Sequence, residues 1–312
     1  MNATKIDSQT STVSSEASAE SSRTKQLKAF WKEFAKSKLA VSALVLIVVL
    51  MFLAFGSSFI APQDPYDLAN LNWFDAFLQP GKIGTGGYYH VLGTDNVGRD
   101  MLSAIFYGLK TSFSIGLTSG IIALSIGILI GLTAAYFGGR VEAILMRIVD
   151  LQLALPAMLL ALVLVSALGQ GIFQIITALV IAQYAYFART THGAAKAERG
   201  KDYIEAARST PLPDNYILFK HMLPNILPPL IVVATVQIAG AIALEATLSF
   251  LGVGLPITEP SLGSLISNGF KYIHTNRYWL SIFPGIALMI IIIAINLVAD
   301  HVRHILDPRR AK

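Results

Sequence analysis

Long runs without a charged residue alternate along this chain with short segments that carry most of its Lys, Arg, Asp and Glu. A helix needs roughly 20 apolar residues to cross the hydrocarbon core of a bilayer, because each residue adds about 1.5 Å. Uncharged runs of at least that length cover residues 39–63, 111–139, 151–188, 222–244 and 278–299. The third run is too long for one crossing, and the sequence Leu-Gly-Gln-Gly interrupts it near its middle.

The pattern therefore predicts six transmembrane helices in an all-α integral membrane protein. They are expected at 39–61, 111–137, 145–168, 171–188, 222–244 and 278–299, the last five within a core transmembrane domain over 111–300. The composition agrees, since 54% of the residues are hydrophobic, 14% are charged and the mean hydropathy is +0.59. Typical soluble domains carry roughly 25% charged residues.

The Lys and Arg residues indicate which ends of the predicted spans face the cytoplasm, where basic residues are retained. With a cytoplasmic N-terminus, 19 of the 24 Lys and Arg residues fall on the cytoplasmic side and five on the other. Both termini, including residues 301–312, are therefore expected in the cytoplasm. The net charge of +5 has the same origin, so it indicates no nucleic-acid partner.

Two polar segments precede the first span. Residues 1–22 are rich in Ser, Thr, Glu and Ala without hydrophobic periodicity, which predicts a disordered cytoplasmic tail. In residues 23–38, lysines are interleaved with aromatic and aliphatic residues at helical spacing. This pattern predicts a basic amphipathic helix on the membrane surface. A positive flank that only sets the topology is the alternative.

A polar loop over 189–221, between the predicted fourth and fifth spans, contains the signal for a short helix. Asp202 can act as the N-cap with Glu205 three residues later, and Pro211 prevents the helix from continuing. Ala206 and Ala207 offer a smooth surface for close packing. Taken alone, the segment also fits an ordinary capped helix in a cytoplasmic loop.

The Glu-Ala-Ala sequence of this helix, followed by Leu223, Pro224 and Asn225, resembles the EAA loop of the inner-membrane subunits of bacterial ABC importers. The resemblance implies that the loop docks in a cleft of an ATPase. The implied coupling residues are Asp202, Tyr203, Glu205, Ala206, Ala207, Arg208, Pro211, Leu223, Pro224 and Asn225. Pro211 stands where the family usually has Gly. Both residues end a helix, so docking is expected to survive with a stiffer exit.

The segment 62–110 is the largest one expected on the periplasmic side, and it contains a second signature. Its members are Leu92, Gly93, Thr94, Asp95, Gly98, Arg99 and Asp100. They resemble the LGTDxxGRD motif of the C-type subunit of dipeptide and oligopeptide permeases. Either Asp100 caps a helix that begins at Met101, or the segment contacts the binding protein or the substrate mouth.

Further matches to this family occur in the same order as in its members, so the resemblance covers nearly the whole chain. They lie at Val149, Asp150, Ala154, Leu155 and Pro156, then at Ser249, Phe250, Leu251, Gly252 and Gly254, and finally at Asp307, Pro308 and Arg309. His192 stands where an Arg is usual, and Leu262 stands where Trp is frequent. These two departures bear on the substrate and leave the architecture unaffected.

The resemblance implies a type I ABC importer permease in a bacterial inner membrane, with di- or oligopeptides as the expected substrate. Relatives also carry glutathione, nickel complexes and antimicrobial peptides. The implied partners are a second homologous permease subunit, two ATPase subunits or domains that bind ATP and Mg, and a periplasmic substrate-binding protein. This chain is expected to hold no cofactor and to catalyse no reaction itself.

The residues agree with a subunit that has no chemistry of its own. The sequence contains no cysteine and no GxxxxGK[ST] phosphate loop, and its six His are scattered, which gives no support for a metal site. We expect Glu142, Arg147 and Asp150 to form a salt-bridged helix end rather than an ATPase contact. A membrane-embedded enzyme is disfavoured because no nucleophile, base and orienting group share one depth.

The predicted membrane interior offers Gln, Asn and hydroxyl side chains but no ionisable residue. Ion-coupled carriers usually bury ionisable groups near the middle of the membrane. A secondary transporter or channel that works without an ATPase is therefore the second hypothesis. A row of glycines in the second span, from Gly116 to Gly131, predicts the close approach of another helix.

Overall fold

The structure is a computed structural model that describes residues 28–65, 67, 71–256 and 259–306. The predicted tail over 1–22 and the family match at Asp307, Pro308 and Arg309 lie outside these residues. The helices are α1 (Lys38–Phe55), α2 (Ser57–Ile60), α3 (Met101–Phe137), α4 (Gly139–Leu153), α5 (Ala157–Leu168), α6 (Ile172–Arg199), α7 (Asp202–Arg208), α8 (Leu223–Phe250), α9 (Leu262–Phe270) and α10 (Trp279–Leu306).

Short elements connect these helices. A helical turn, Asp214–Tyr216, and a π-helical segment, Ile217–Met222, lead directly into α8. Two 3₁₀ turns cover Trp73–Asp75 and Ile273–Thr275. Between α2 and α3, the strands β1 (Lys82–Ile83) and β2 (Tyr89–His90) pair antiparallel, with Lys82 opposite His90.

Five helical stretches of the described chain are long and apolar enough to cross a membrane: α1, α3, α6, α8 with its preceding turns, and α10. The helices α4 and α5 pass the same test only as a pair, and they are bent by 89°. A single span over 145–168 is thus replaced by a broken one. The bend lies before Pro156, which has no N–H and disfavours helical geometry in the preceding residue. Counting this pair as one gives six spans.

The glycines of α3 bring it close to two helices rather than to one. A Cβ at Gly116 would lie 2.5 Å from Ile242 Cγ1 of α8. A Cβ at Gly127 would lie 2.8 Å from the Ala188 nitrogen of α6. The glycine positions of α3 therefore let it lie close to both α6 and α8, between these two helices.

The residues before α1 form an amphipathic turn that packs on the end of α10. Residues 28–34 are helical, and Phe34 is buried with its ring centroid 5.1 Å from that of His301. The lysines of this turn, Lys28 and Lys32, are exposed. Phe34 is thus covered by protein, whereas the lysines and Trp31, which is 55% exposed, point outward.

One prediction about the membrane interior is wrong, because α8 continues past the predicted end of its span at residue 244. Glu245 lies inside this helix and is 0% exposed. The uncharged run of the sequence ends before this glutamate, whereas the folded chain buries it within the helix. The absence of an ionisable group therefore no longer argues against an ion-coupled carrier.

Candidate functional site

The short helix α7 follows α6 after a two-residue connection and is anchored by one apolar side chain. Ile204 is 0% exposed and belongs to a buried cluster with Leu132 of α3, Ala195 of α6, Met222 just before α8 and Ile226 in its first turn. Burial of such a side chain stabilises its position by about 1.5–3 kcal/mol. The helix is thus fixed to three long helices of the domain.

The predicted N-cap of α7 is wrong by one residue. Lys201 occupies the N-cap position, Asp202 is the first helical residue, and no side chain caps the helix. The Lys201 carbonyl accepts the Ile204 N–H at 2.9 Å. The charges still suit the helix dipole, because Asp202 and Glu205 lie in the first turn and Arg208 in the last.

Two hydroxyl groups terminate α7. Ser209 Oγ donates to the Glu205 carbonyl and Thr210 Oγ1 donates to the Ala206 carbonyl, both at 3.0 Å. The Glu205 carbonyl also accepts the Ser209 backbone N–H at 3.1 Å, and the two hydroxyls supply further donors to the last carbonyls of the helix. Pro211 then follows, and its ring removes the N–H that a further turn would need. The helix therefore ends at Arg208 through local interactions that the sequence encodes.

The structure brings together the two halves of the predicted coupling set, 202–211 and 223–225. Tyr203 donates its hydroxyl to a carboxylate oxygen of Glu198 and accepts a hydrogen bond from Asn225 Nδ2 at 2.9 Å. Asn225 also donates to the His221 carbonyl at 2.8 Å. Burial of its hydroxyl, and next the Glu198 carboxylate, raise the pKa of Tyr203 to about 12. The phenol is therefore a neutral donor that joins α6, α7 and α8.

The opposite end of α7 is held against α3. The Arg208 guanidinium lies over the Tyr136 ring, with Cζ 5.2 Å from the ring centroid. Tyr136 in turn donates its hydroxyl to Asp214 Oδ1 at 2.6 Å. Sequence reasoning missed Tyr136 and Glu198, which contact α7, and Asp214, which is linked to it through Tyr136, because these contacts exist only in the folded chain.

The outer surface of α7 is small and exposed. Ala206 is exposed, whereas Ala207 is half-buried against the cluster around Ile204. Glu205 and Arg208, on either side of the two alanines, are also exposed. The helix thus presents an anchored surface with a small residue at its centre and charges of opposite sign beside it.

The second signature, at residues 92–100, has the opposite character, because its polar side chains are buried. Asp95 is 5% and Arg99 3% exposed, and Asp95 Oδ2 lies 2.6 Å from Arg99 Nε. Asp95 Oδ1 also accepts the backbone N–H groups of Val97 and Arg99, each at 2.9 Å. The Asp-to-Arg spacing of the motif thus closes a tight turn on itself.

Asp100 is the N-cap of α3, as the sequence predicts. Its Oδ2 accepts from the backbone N–H and the hydroxyl of Ser103, both at 2.8 Å. Its Oδ1 lies 2.9 Å from His90 Nδ1, and its own N–H donates to Gln63 Oε1 at 2.7 Å. Asp100 therefore holds together the start of α3 and the hairpin through its carboxylate, and the chain that follows α2 through its backbone N–H.

Thr94 connects the signature to distant parts of the chain. Its hydroxyl donates to the Asp75 carbonyl at 2.5 Å and accepts the Leu78 N–H at 2.8 Å. Its carbonyl accepts from Trp279 Nε1 of α10 at 3.2 Å. Leu92 packs against the core cluster beside this site. The side chains of Thr94, Asp95, Arg99 and Asp100 are thus occupied within the chain, so a binding-protein contact would have to use other groups.

The glycines of this signature are required by the backbone. Gly93 and Gly98 have φ angles of +78° and +82°, which residues other than Gly rarely adopt. A Cβ at Gly98 would also overlap the Asn72 carbonyl oxygen. The geometry of one turn therefore determines where the motif has its glycines.

Glu142 and Asp150 of α4 form ion pairs with α6, as the sequence predicts, whereas Arg147 is exposed and is in no ion pair with the described residues. Glu142 Oε1 lies 2.8 Å from His192 Nε2 and 2.6 Å from Lys196 Nζ. Asp150 pairs with Arg189. His192, which replaces the usual Arg of the family, therefore still faces a carboxylate. Among the described residues, no group of three or more His, Asp or Glu could hold a metal ion.

Comparison with known proteins agrees with this architecture. A family model described as "Binding-protein-dependent transport system inner membrane component" matches residues 127–312. A second model, "N-terminal TM domain of oligopeptide transport permease C", matches residues 25–80. The dipeptide transport system permease protein DppC of Escherichia coli (strain K12) is 38% identical over 91% of this chain and 93% of its own length.

Another relative and a solved structure support the same assignment. The di/tripeptide transport system permease protein DppC of Pseudomonas aeruginosa (strain UCBPP-PA14) is 36% identical over 91% of this chain and 92% of its own length. A structure of the MetNI methionine ABC transporter in an inward-facing conformation shares the fold, with a TM-score of 0.53 and 21% identity over 66% of this chain and 97% of that one. This chain therefore belongs to the family of binding-protein-dependent transport system inner membrane components, as a permease of the oligopeptide C type.

Proposed function

We propose that this chain is one of two homologous membrane subunits of an ATP-driven importer of di- or oligopeptides, and that it forms half of the translocation pathway. The peptide substrate is inferred from relatives that are named as dipeptide and di/tripeptide permeases and that align over nine-tenths of the chain. A second permease subunit completes the pathway, and a periplasmic binding protein delivers the substrate.

The energy comes from two ATPase subunits, which bind ATP and Mg, and this chain acts without catalysing a reaction. Its sequence contains no GxxxxGK[ST] loop that could cradle phosphates. The energy of ATP hydrolysis must therefore be transmitted to the pathway through a mechanical contact between chains. The end of the molecule that carries α7 faces the cytoplasm together with both termini, because most Lys and Arg residues lie at that end.

The observation that carries this proposal is the geometry of α7, which is exposed on one side and anchored on the other. Ile204 and Tyr203 fix it to α3, α6 and α8, so a force on the exposed face displaces those helices with it. Closure of the ATPases would push α7 as a rigid element, and the spans would rock between outward-open and inward-open arrangements.

Ala206 is the sharpest position for a test, because it is exposed, whereas Ala207 packs against the buried cluster. Ala206→Trp should block docking by steric overlap and leave membrane insertion unchanged. Overpacking a fitted contact costs about 1–3 kcal/mol. About 1.4 kcal/mol is a tenfold change in affinity. The ATPase should therefore copurify at least about fivefold less well, with a similar loss of ATP-dependent peptide uptake in vesicles.

The matched control is Ala197→Trp, the same substitution at an exposed alanine of α6. It should leave ATPase binding and uptake near the level of the unmodified chain. Normal copurification and uptake with Ala206→Trp would show that α7 is not the ATPase contact. Uptake that continues without any ATPase subunit would instead favour a secondary transporter or channel.

A further inference from the structure

Glu245 is an ionisable side chain in the middle of a buried junction, and the coupling scheme above does not use it. It is 0% exposed in α8, near the end of that helix remote from α7. Its Oε2 accepts a hydrogen bond from Ser112 of α3 at 2.9 Å, and its Oε1 accepts one from Ser249 at 2.8 Å. Ser261, at the start of α9, lies beside the same carboxyl group.

Burying this carboxyl group costs free energy, which indicates that its polar contacts have a role. A buried carboxyl group loses its hydration, and only hydrogen bonds from the protein compensate for it. Buried polar clusters can often be replaced by apolar residues of similar volume without loss of stability. Packing alone therefore does not require a glutamate at position 245.

The junction around Glu245 is the place where α9 enters the domain. The backbone at Leu262 approaches α3 closely, because a Cβ at Gly108 would lie 3.2 Å from the Leu262 nitrogen. On the other side, a Cβ at Gly263 would overlap the backbone of Ala246 in α8. The start of α9 is thus seated in a slot between α3 and α8. The hydrogen bond from Ser112 to Glu245 joins the two walls of that slot.

The same helix α8 carries α7 at its other end. Asn225, in the first turn of α8, donates to Tyr203 of α7. Asn225 and Glu245 are separated along one helix by about 30 Å, from a rise of about 1.5 Å per residue. When α8 moves as one helix, a displacement at its α7 end also changes its position relative to α3 at the Glu245 end.

We propose that Glu245 is a positioning residue that holds α8 to α3 and so fixes the start of α9. Through this link, a movement of α7 is transmitted to α9. This inference rests on the proposed coupling role of α7. It assigns the Glu245–Ser112 contact to transmission across the domain. The Glu245–Ser249 contact lies within α8 and joins no second element, so it serves as an internal reference.

The test is the accessibility of α9 in the complete complex with ATPase and binding protein. A single cysteine replaces Lys271, which is exposed directly after α9, and the chain contains no other cysteine. Its reaction rate with an impermeant maleimide is measured without nucleotide and with ATP and vanadate. We expect a difference of about fivefold, the lower end of typical coupling factors. Glu245→Leu and Ser112→Ala should abolish the difference, while the amount of assembled complex and the basal ATP hydrolysis stay the same.

Ser249→Ala is the matched control, since it removes one hydroxyl from the same carboxyl group and should leave the response intact. Glu245→Gln should also retain it, because the amide can still hydrogen-bond to Ser112. A full response in Glu245→Leu, or no response in the unmodified chain, would overturn the inference. If Glu245→Leu does not assemble, a full response in Ser112→Ala would overturn it equally. A full response in Ala206→Trp would instead contradict the coupling role of α7, so the two failures are distinguishable.

Discussion

Two segments that carry family signatures, residues 92–100 and α7, differ in whether their polar side chains are buried or exposed. In the first segment, Thr94, Asp95, Arg99 and Asp100 are between 0% and 5% exposed and bind within the chain. In α7, the charged residues are exposed. Only Ile204 of α7 is fully buried.

The difference separates two reasons for a fixed spacing of residues. At residues 92–100 the spacing closes a turn, caps α3 and connects it to the hairpin, so the motif serves the fold. At α7 the buried residue and the tyrosine fix the position of the helix, and the alanines and charges remain available to a partner. Burial therefore distinguishes a motif whose side chains serve the fold from one whose side chains remain accessible, when the sequence resemblance is equally clear.

The largest effect on stability is expected from breaking the buried pair at the first signature. Asp95→Ala removes the carboxylate that faces Arg99 together with the acceptor of two backbone N–H groups. Removing one partner of a buried ion pair costs about 3–5 kcal/mol. Thermal unfolding of the purified protein in detergent should show a large drop in the transition temperature and a low yield. Glu205→Ala in α7 should change the stability by less than about 0.5 kcal/mol. Equal effects of the two substitutions would remove the distinction.

A smaller loss is expected at Gly98. Gly98→Ala places a Cβ at a φ of +82° and against the Asn72 carbonyl, and such strain costs about 1–3 kcal/mol. Gly193 of α6 is the contrasting position, because a Cβ there meets nothing within 4 Å. Gly193→Ala should stabilise the protein by about 0.5–1 kcal/mol, since alanine favours a helix. Thermal unfolding of both variants is the measurement, and destabilisation of equal size would contradict the assignment of Gly98 to the turn.

The smallest effect on stability is expected at the anchor of α7. Tyr203→Phe removes the hydroxyl that joins Glu198 and Asn225 and should cost about 0.5–1.5 kcal/mol. Because the folded pKa is raised, this contribution is fully present below about pH 10, the ordinary tyrosine value. It is lost as the pH rises through about 12. Tyr216→Phe, at an exposed tyrosine near the same end, should have no such effect. A Tyr203→Phe variant as stable as the unmodified protein would show that Ile204 alone fixes the helix.

Hydropathy predicts most of the fold because each span must be apolar along its whole length. It fails where residues that are distant in the sequence compensate for the free-energy cost of burying a charged or polar side chain. Glu245 ends an uncharged run, yet a serine 133 positions away in the sequence lets α8 continue past it. The break before Pro156 is visible as a proline, but the 89° angle depends on how α5 packs against α6.

The candidate site shows the same limit. The sequence identifies α7, its end at Pro211 and the later Leu-Pro-Asn, and it predicts the cap at Asp100. It misplaces the N-cap of α7 by one residue, because helix boundaries depend on backbone hydrogen bonds that composition specifies weakly. Tyr136, Glu198 and Asp214 carry no signature, and they join the site through contacts that only the packed helices create.

The central claim, that the exposed face of α7 contacts an ATPase, has a direct test in proximity cross-linking. The chain has no native cysteine, so Ala206→Cys provides a single reactive thiol. In membranes that contain the whole complex, a thiol-to-amine cross-linker of short reach should join this position to the ATPase subunit. A cysteine at Gly86, on the hairpin at the other end, should not be cross-linked to the ATPase subunit. Cross-linking to the ATPase from Gly86→Cys, or its absence from Ala206→Cys in an assembled and active complex, would contradict the account.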